Sequence, residues 1–308
     1  MPGRLKLTVA GGSYAVHDLS VGDPGPRAPV VVAVHGITAN GLWFRPLAHA
    51  LAARLGAGGV RLLAPCLRGR ADSAGVTEAG VTEAGGLGTH AADVAQVCRV
   101  LHLHRPVLLG HSMGAWVSAL TAAADPAATR GLVLADGALT MPLPAGVCGD
   151  ALVRATLGPA LSRLGTTFED AAAYRRYWGS HPALRRLGPS ATAAVGELAD
   201  HDLVPAGPRV RSALSPQVVL ADARDVAADP VAAGAVGAAL AAGVPGRLVW
   251  ARRGLLDEPQ GTYDEARIAR LAPDGLISTC VEAANHLSLV LDEPGVGVLA
   301  DAVVEAIG

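Results

Sequence analysis

Val30 to Val34 is an unbroken run of small and β-branched apolar residues between two turn-forming stretches. Such a run predicts a strand buried on both faces, because alternation with polar residues is lost when neither face meets water. Before it, residues 1–20 alternate around Gly11-Gly12 and predict a hairpin, and Gly22 to Pro29 reads as a proline-rich turn. After it, helical spacing over Phe44 to Leu55 is followed by a short apolar run at Val60 to Pro65. The same order then repeats: helix over Thr89 to Leu103, strand over Pro106 to Leu109, helix over Met113 to Ala124, strand over Arg130 to Ala135. Strand–helix alternation of this kind predicts a mostly parallel, doubly wound sheet with helices on both faces.

Between about Leu139 and Gly243 the alternation stops and only helical segments are legible. Thr166-Thr167-Phe168-Glu169 fits a capping box and predicts a helix start there. The alternation resumes with a strand at Arg247 to Ala251, a helix at Tyr263 to Leu271, a strand at Leu276 to Val281 and a helix at Gly295 to Ile307. The expected organisation is a core of residues 1–138 and 244–308 interrupted by a helical insertion, 139–243. Loop-closure entropy grows slowly with length, so a sheet tolerates an insertion of that size. The pentamer Gly75 to Ala79 is copied at Gly80 to Ala84 and reads as a duplicated loop.

Composition narrows the function classes. Of 308 residues 51% are hydrophobic and 17% charged, enough for a sizeable core. Lys plus Arg (25) nearly balances Asp plus Glu (27), which argues against nucleic acid as a partner. The longest apolar stretch, Val231 to Val244, is 14 residues with three glycines, short of the roughly 20 a spanning helix needs. The N-terminus lacks the apolar core of a signal peptide, and the four cysteines are scattered with no C-x-x-C, so a reduced, cytoplasmic protein is expected.

Chemistry concentrates at two strand ends. Gly110-His111-Ser112-Met113-Gly114 fits G-x-S-x-G between a predicted strand and a predicted helix. The glycines permit a tight turn that lifts Ser112 out of the sheet, with the positive end of the helix behind it. Val30 to Val34 ends in His35-Gly36-Ile37. A sharp turn at Gly36 would aim the Ile37 N–H at the same place as that of Met113, giving a two-donor oxyanion hole.

In order along the chain, His35-Gly36, Leu67-Arg68-Gly69-Arg70-Ala71-Asp72-Ser73, Gly110 to Gly114 and Asn285-His286 resemble the α/β-hydrolase-fold family. Ala71 stands where that family usually has glycine, which puts the shape of that loop in doubt. The resemblance covers nearly the whole core and implies an α/β-hydrolase fold whose insertion is a lid over the active site. It implies His286 as the catalytic histidine among the ten histidines of the chain. For the orienting carboxylate two residues compete. Asp257, just after the first strand beyond the insertion, gives the order Ser, Asp, His and is the preferred choice. Asp136, at the end of the strand Leu132 to Ala135, is where some members place the acid. Asp257 has another reading as a partner of Arg252 or Arg253, and Asp136 as a cap of the following turn.

Only ten residues are aromatic. Seven fall near the inferred site: Trp43, Phe44, Trp116, Phe168, Tyr174, Tyr177 and Trp178. A wide, partly aromatic cavity lined by Trp43, Trp116, Tyr177 and Trp178 is expected, although Tyr174, Tyr177 and Trp178 also have the spacing of one buried helix face. His102-x-His104 with Cys98 does not converge on a helix, so no metal is expected there. The resemblance thus implies a cofactor-free serine hydrolase, acting on a carboxylic ester or lactone of an apolar small molecule. Thioester and C–C bond cleavage, and a non-catalytic ligand-binding role, are the alternatives.

Overall fold

The computed structural model describes residues 3–9, 12–76, 85–141 and 162–308. The second copy of the pentamer, at 80–84, lies outside them.

Eight strands form one sheet: β1 (Gly3–Val9), β2 (Gly12–Asp18), β3 (Val30–Val34), β4 (Arg61–Pro65), β5 (Val107–His111), β6 (Gly131–Ala135) and, after the insertion, two more that are numbered below. β1 and β2 are the expected hairpin, and β2 joins β4 antiparallel. From β4 across β3, β5 and β6 the pairing is parallel. Along the central strands alternate side chains enter opposite layers. Val31 and Ala33 pack with Val107, Leu109, Val133 and Ala135 on one face. Val32 and Val34 pack with Leu108, Leu132 and Leu134 on the other. Both faces are covered, which is why these strands read as continuous apolar runs rather than alternating ones.

The helices α1 (Arg45–Leu55), α2 (Leu87–Val100) and α3 (Met113–Ala124) connect these strands. In the insertion a short antiparallel sheet is formed by β7 (Thr167–Phe168), β8 (Leu203–Ala206) and β9 (Arg209–Ser212), which the sequence reading did not foresee. Around it lie α4 (Ala171–Gly179), α5 (Pro189–His201) and α6 (Pro216–Ala228). The predicted capping box is displaced: Thr167 and Phe168 are in β7, and Asp170 caps α4 by accepting the Ala173 N–H at 2.7 Å.

The helix α7 (Pro230–Ala241), expected in the insertion, is a layer helix of the core. Its small residues Ala232, Ala235, Val236 and Ala239, one stripe at i, i+3, i+4 and i+7, pack with α3 residues such as Ala115 and Ala119. It leads into β10 (Gly246–Arg253), which pairs parallel with β6. The chain then runs through α8 (Glu265–Leu271), β11 (Ile277–Asn285), α9 (Ser288–Leu291) and α10 (Gly295–Ile307). The order across the sheet is β1-β2-β4-β3-β5-β6-β10-β11. His35, Ser112, Asp136 and His286 therefore all follow carboxyl ends of parallel strands, the edge where open α/β sheets bind ligands. Among the described residues no helix is long and apolar enough to cross a membrane.

Candidate active site

Ser112 sits between β5 and α3 at φ 53°, ψ −128°, a left-handed conformation that a non-glycine residue holds only where its surroundings enforce it. Three glycines make room for it. A Cβ on Gly110 would stand 2.1 Å from the Gly114 carbonyl oxygen, and one on Gly114 would stand 2.0 Å from the Val34 oxygen. A Cβ on Gly137 would stand 2.3 Å from the Ser112 oxygen. The Ser112 N–H donates to the Ala135 carbonyl at 2.9 Å, tying the elbow to the end of β6. Met113 opens α3, so its N–H has no helical partner, and the helix lends its positive end to the space beside Ser112.

The oxyanion loop is fixed by its neighbours. Gly36 lies against the serine: a Cβ there would be 3.1 Å from the Ser112 Cβ. His35 is fully buried and turned away from solvent. Its Nδ1–H donates to the Gly36 carbonyl at 2.8 Å, and its Nε2 accepts the Leu67 N–H at 3.0 Å. Burial pushes its pKa down to about 3 and Arg70 adds to the shift, so the ring stays neutral. The carbonyl of Ile37 accepts from Arg70 Nε at 3.1 Å, and Arg70 Nη2 lies 3.9 Å from Met113 Sδ. One buried guanidinium thus touches both residues expected to supply the oxyanion hole. Arg70 in turn is paired with Asp222 of α6, which also contacts His90 Nε2 at 3.0 Å. Burial opposes ionisation of Asp222, but Arg70 and His90 outweigh it and hold the carboxyl well below the usual range. Neither Asp222 nor His90 carried a sequence signal, since the partners lie 152 and 20 residues from Arg70.

His286 follows β11. Its Nδ1 is 2.6 Å from Asp136 Oδ2, and the second oxygen of Asp136 accepts the Ala251 N–H at 3.0 Å. Asp136 is buried, at φ 48°. Tyr263 pins the turn that follows it, donating to the Leu139 carbonyl at 3.1 Å. A proton on Nδ1 directed at the carboxylate leaves Nε2 as the basic nitrogen. His111 packs beside this ring with centroids 4.7 Å apart and bonds the His286 carbonyl through Nε2 at 2.9 Å. Burial, reinforced by His286, holds the His111 pKa well below its ordinary value.

The carboxylate that lies against His286 is thus Asp136 and not Asp257, the acid the sequence favoured. Asp257 does not reach His286. It pairs with Arg253 at 2.6 Å and Arg186 at 3.1 Å, and it accepts from Asn285 Nδ2 at 3.1 Å. The Arg253 hydrogen bond holds its carboxyl below the ordinary value. Chain order could not separate the two acids, because both lie between Ser112 and His286. The deciding fact is that β6 ends against β10 and beside β5, which places Asp136 next to the elbow.

Trp43 and Trp178 meet edge to face with centroids 5.9 Å apart. With Thr38, Asn40 and Leu198 they line a small pocket of about 10 Å³, room for about one water. Tyr177 packs on Phe168, centroids 5.6 Å apart, and Trp116 lies in the other layer with Nε1 donating to Thr140 Oγ1 at 2.9 Å. Of the four expected lining residues, Trp43 and Trp178 line this small pocket, and Trp116 and Tyr177 are not among its described lining. His102 and His104 line a groove of about 600 Å³ near the amino ends of β3 and β4, away from the serine.

The family model described as the alpha/beta hydrolase family matches residues 31–301. The chain belongs to the alpha/beta hydrolase family. Among curated proteins no sequence matches it. Solved structures similar to this hydrolase include the thioesterase domain from the curacin biosynthetic pathway (TM-score 0.72, 20% identity, 99% of each chain covered). E-2-(acetamidomethylene)succinate hydrolase is similar at TM-score 0.68 and 22% identity, with 99% of each chain covered. A thermophilic esterase from Thermogutta terrifontis is similar at TM-score 0.58 and 18% identity, covering 99% of this chain and 100% of the esterase. At these identities the likeness is one of fold.

Proposed function

We propose that this alpha/beta hydrolase cleaves a carboxylic ester or lactone of an apolar small molecule through Ser112, His286 and Asp136. The observation that carries the reading is the 2.6 Å contact between buried Asp136 and His286 Nδ1, beside a serine held in a left-handed elbow. His286 Nε2 takes the Ser112 hydroxyl proton as Oγ attacks the carbonyl carbon. The N–H groups of Ile37 and Met113 receive the developing oxyanion, and loss of one such donor typically costs about 3–4 kcal/mol in the transition state. The imidazolium, stabilised by Asp136, returns its proton to the leaving alcohol oxygen. Water then attacks the acyl-enzyme by the same route in reverse. No step requires a metal or an organic cofactor.

The test is turnover of p-nitrophenyl esters of rising acyl length, aliphatic lactones and acyl thioesters by wild type and Ser112→Ala. Thioesters belong in the panel because one structural neighbour is a thioesterase domain. Ester or lactone turnover should fall on the order of 10⁶-fold in the variant. Turnover of thioesters alone, or equal rates in both proteins, would overturn the reading.

A further inference from the structure

Outside the serine site, four side chains from distant parts of the chain converge: His17 of β2, Cys66 just after β4, Asp72 of the following loop, and His201 at the end of α5. Each offers one ligand atom, and these atoms lie within 4.8 Å of one another. His17 Nε2 is 3.0 Å and His201 Nε2 2.9 Å from the same oxygen, Asp72 Oδ2. His17 is 5% exposed, and among the described residues its buried Nε2 has no side-chain or backbone polar partner besides this approach to Asp72. Cys66 is fully buried, and its Sγ accepts the Gly41 N–H at 3.5 Å. That approach requires glycine: a Cβ at Gly41 would stand 2.5 Å from the Ala64 oxygen and 3.2 Å from the His17 ring.

From this geometry we infer a structural site for a zinc-like divalent cation, ligated by His17, Cys66, Asp72 and His201, that ties the inserted segment to the core. Two imidazoles, a thiol and a carboxylate are a ligand set that zinc takes in four-coordinate sites. Zn–N near 2.0–2.1 Å and Zn–S near 2.3 Å put tetrahedral ligand atoms roughly 3.3–3.6 Å apart. The two short His–Asp separations widen by a few tenths of an ångström, and the longest separation contracts by about 1 Å. The outer partners are already in place. Arg4 Nη1 holds the other Asp72 oxygen at 2.6 Å, and the Gly41 N–H supports the sulfur. The cation neutralises the thiolate and the carboxylate together, and His201 is the ligand that α5 brings to the cluster.

The full chain, purified without chelator, is analysed for zinc, stripped, and titrated with Co(II) and Zn(II). The expected result is one ion per chain and, with cobalt, the thiolate-to-metal charge-transfer band together with the d–d bands of a tetrahedral centre. Cys66→Ala should remove the charge-transfer band. His201→Asn, a change at a part-exposed position that leaves the core packed, should weaken binding at least about tenfold and lower the zinc-dependent rise in Tm. Absence of the charge-transfer band in wild type, or affinity unchanged in His201→Asn, would overturn the site and leave only a hydrogen-bonded ion cluster.

Discussion

Replacing Asp136 by Asn keeps the shape of the side chain and removes its charge. Its Oδ1 can still accept the Ala251 N–H. Its amide then faces His286 Nδ1, where Oδ2 stood at 2.6 Å. Two donors cannot face each other, so the ring shifts its proton to Nε2 and loses the basic nitrogen that the serine needs. In a triad of this geometry that change lowers turnover on the order of 10⁴-fold, about 5 kcal/mol of transition-state stabilisation. Asp257→Asn perturbs a different set of partners. It weakens pairs with Arg253 and with Arg186, whose side chain is 64% exposed, and keeps an acceptor for Asn285. The Arg186 pair is exposed and worth about 0–1 kcal/mol, the Arg253 pair is part-buried, and neither touches His286, so the loss of kcat should stay within about fivefold. The assay is kcat and KM on the best ester of the panel, with circular dichroism melts to verify that both variants fold. A loss beyond about 10³-fold in Asp257→Asn with Asp136→Asn nearly intact would refute the assignment. Equal losses would refute it as well.

Gly137→Ala sets a methyl 2.3 Å from the Ser112 carbonyl oxygen, so the elbow must move; a displacement near 1 Å should lower kcat about 10²-fold with little change in KM, measured on the same ester. Ala71 sits at φ 40° in the loop where the family usually has glycine, and Ala71→Gly should relieve about 1–2 kcal/mol of strain against roughly 0.4–1 kcal/mol of added chain entropy. A small rise in Tm is therefore expected, and a fall would contradict a strained loop. His35 has its pKa lowered to about 3 by burial, so below about pH 6.5 the unfolded chain binds a proton that the folded chain refuses. Its contribution is present above that pH and is lost as pH falls from there toward 3, by about 2 kcal/mol at pH 5. In urea titrations His35→Gln should therefore lose less stability than wild type between pH 7 and pH 5, and parallel losses would count against this.

What could be read from the sequence is what depends on near neighbours. Val30 to Val34 forms a strand because its own apolar run suits a two-faced burial, and Met113 to Ala124 forms a helix with the bounds its spacing suggests. The Ser112 elbow is legible for the same reason: Gly110 and Gly114 flank it within two residues, and the space each provides is occupied by backbone. β7 to β9 were not legible, since strands of two to four residues carry too few positions for alternation to show. The place of α7 in the core is not legible in the sequence either, because its composition, nearly all Ala, Val and Gly, does not reveal which neighbour it packs on.

Tertiary structure alone decided which carboxylate lies against His286. Asp136 and Asp257 each follow a strand, and only the sheet order, with β6 between β5 and β10, sets one of them against the histidine and leaves the other to Arg253. It also decided that Arg70 reaches Asp222 across 152 residues, and that His17 and His201 share one oxygen of Asp72. The physical reason is common to all three. Turn geometry and burial period are local and are written in a few adjacent residues. A hydrogen bond between remote side chains depends on the path of the whole chain, and no spacing along the sequence encodes it.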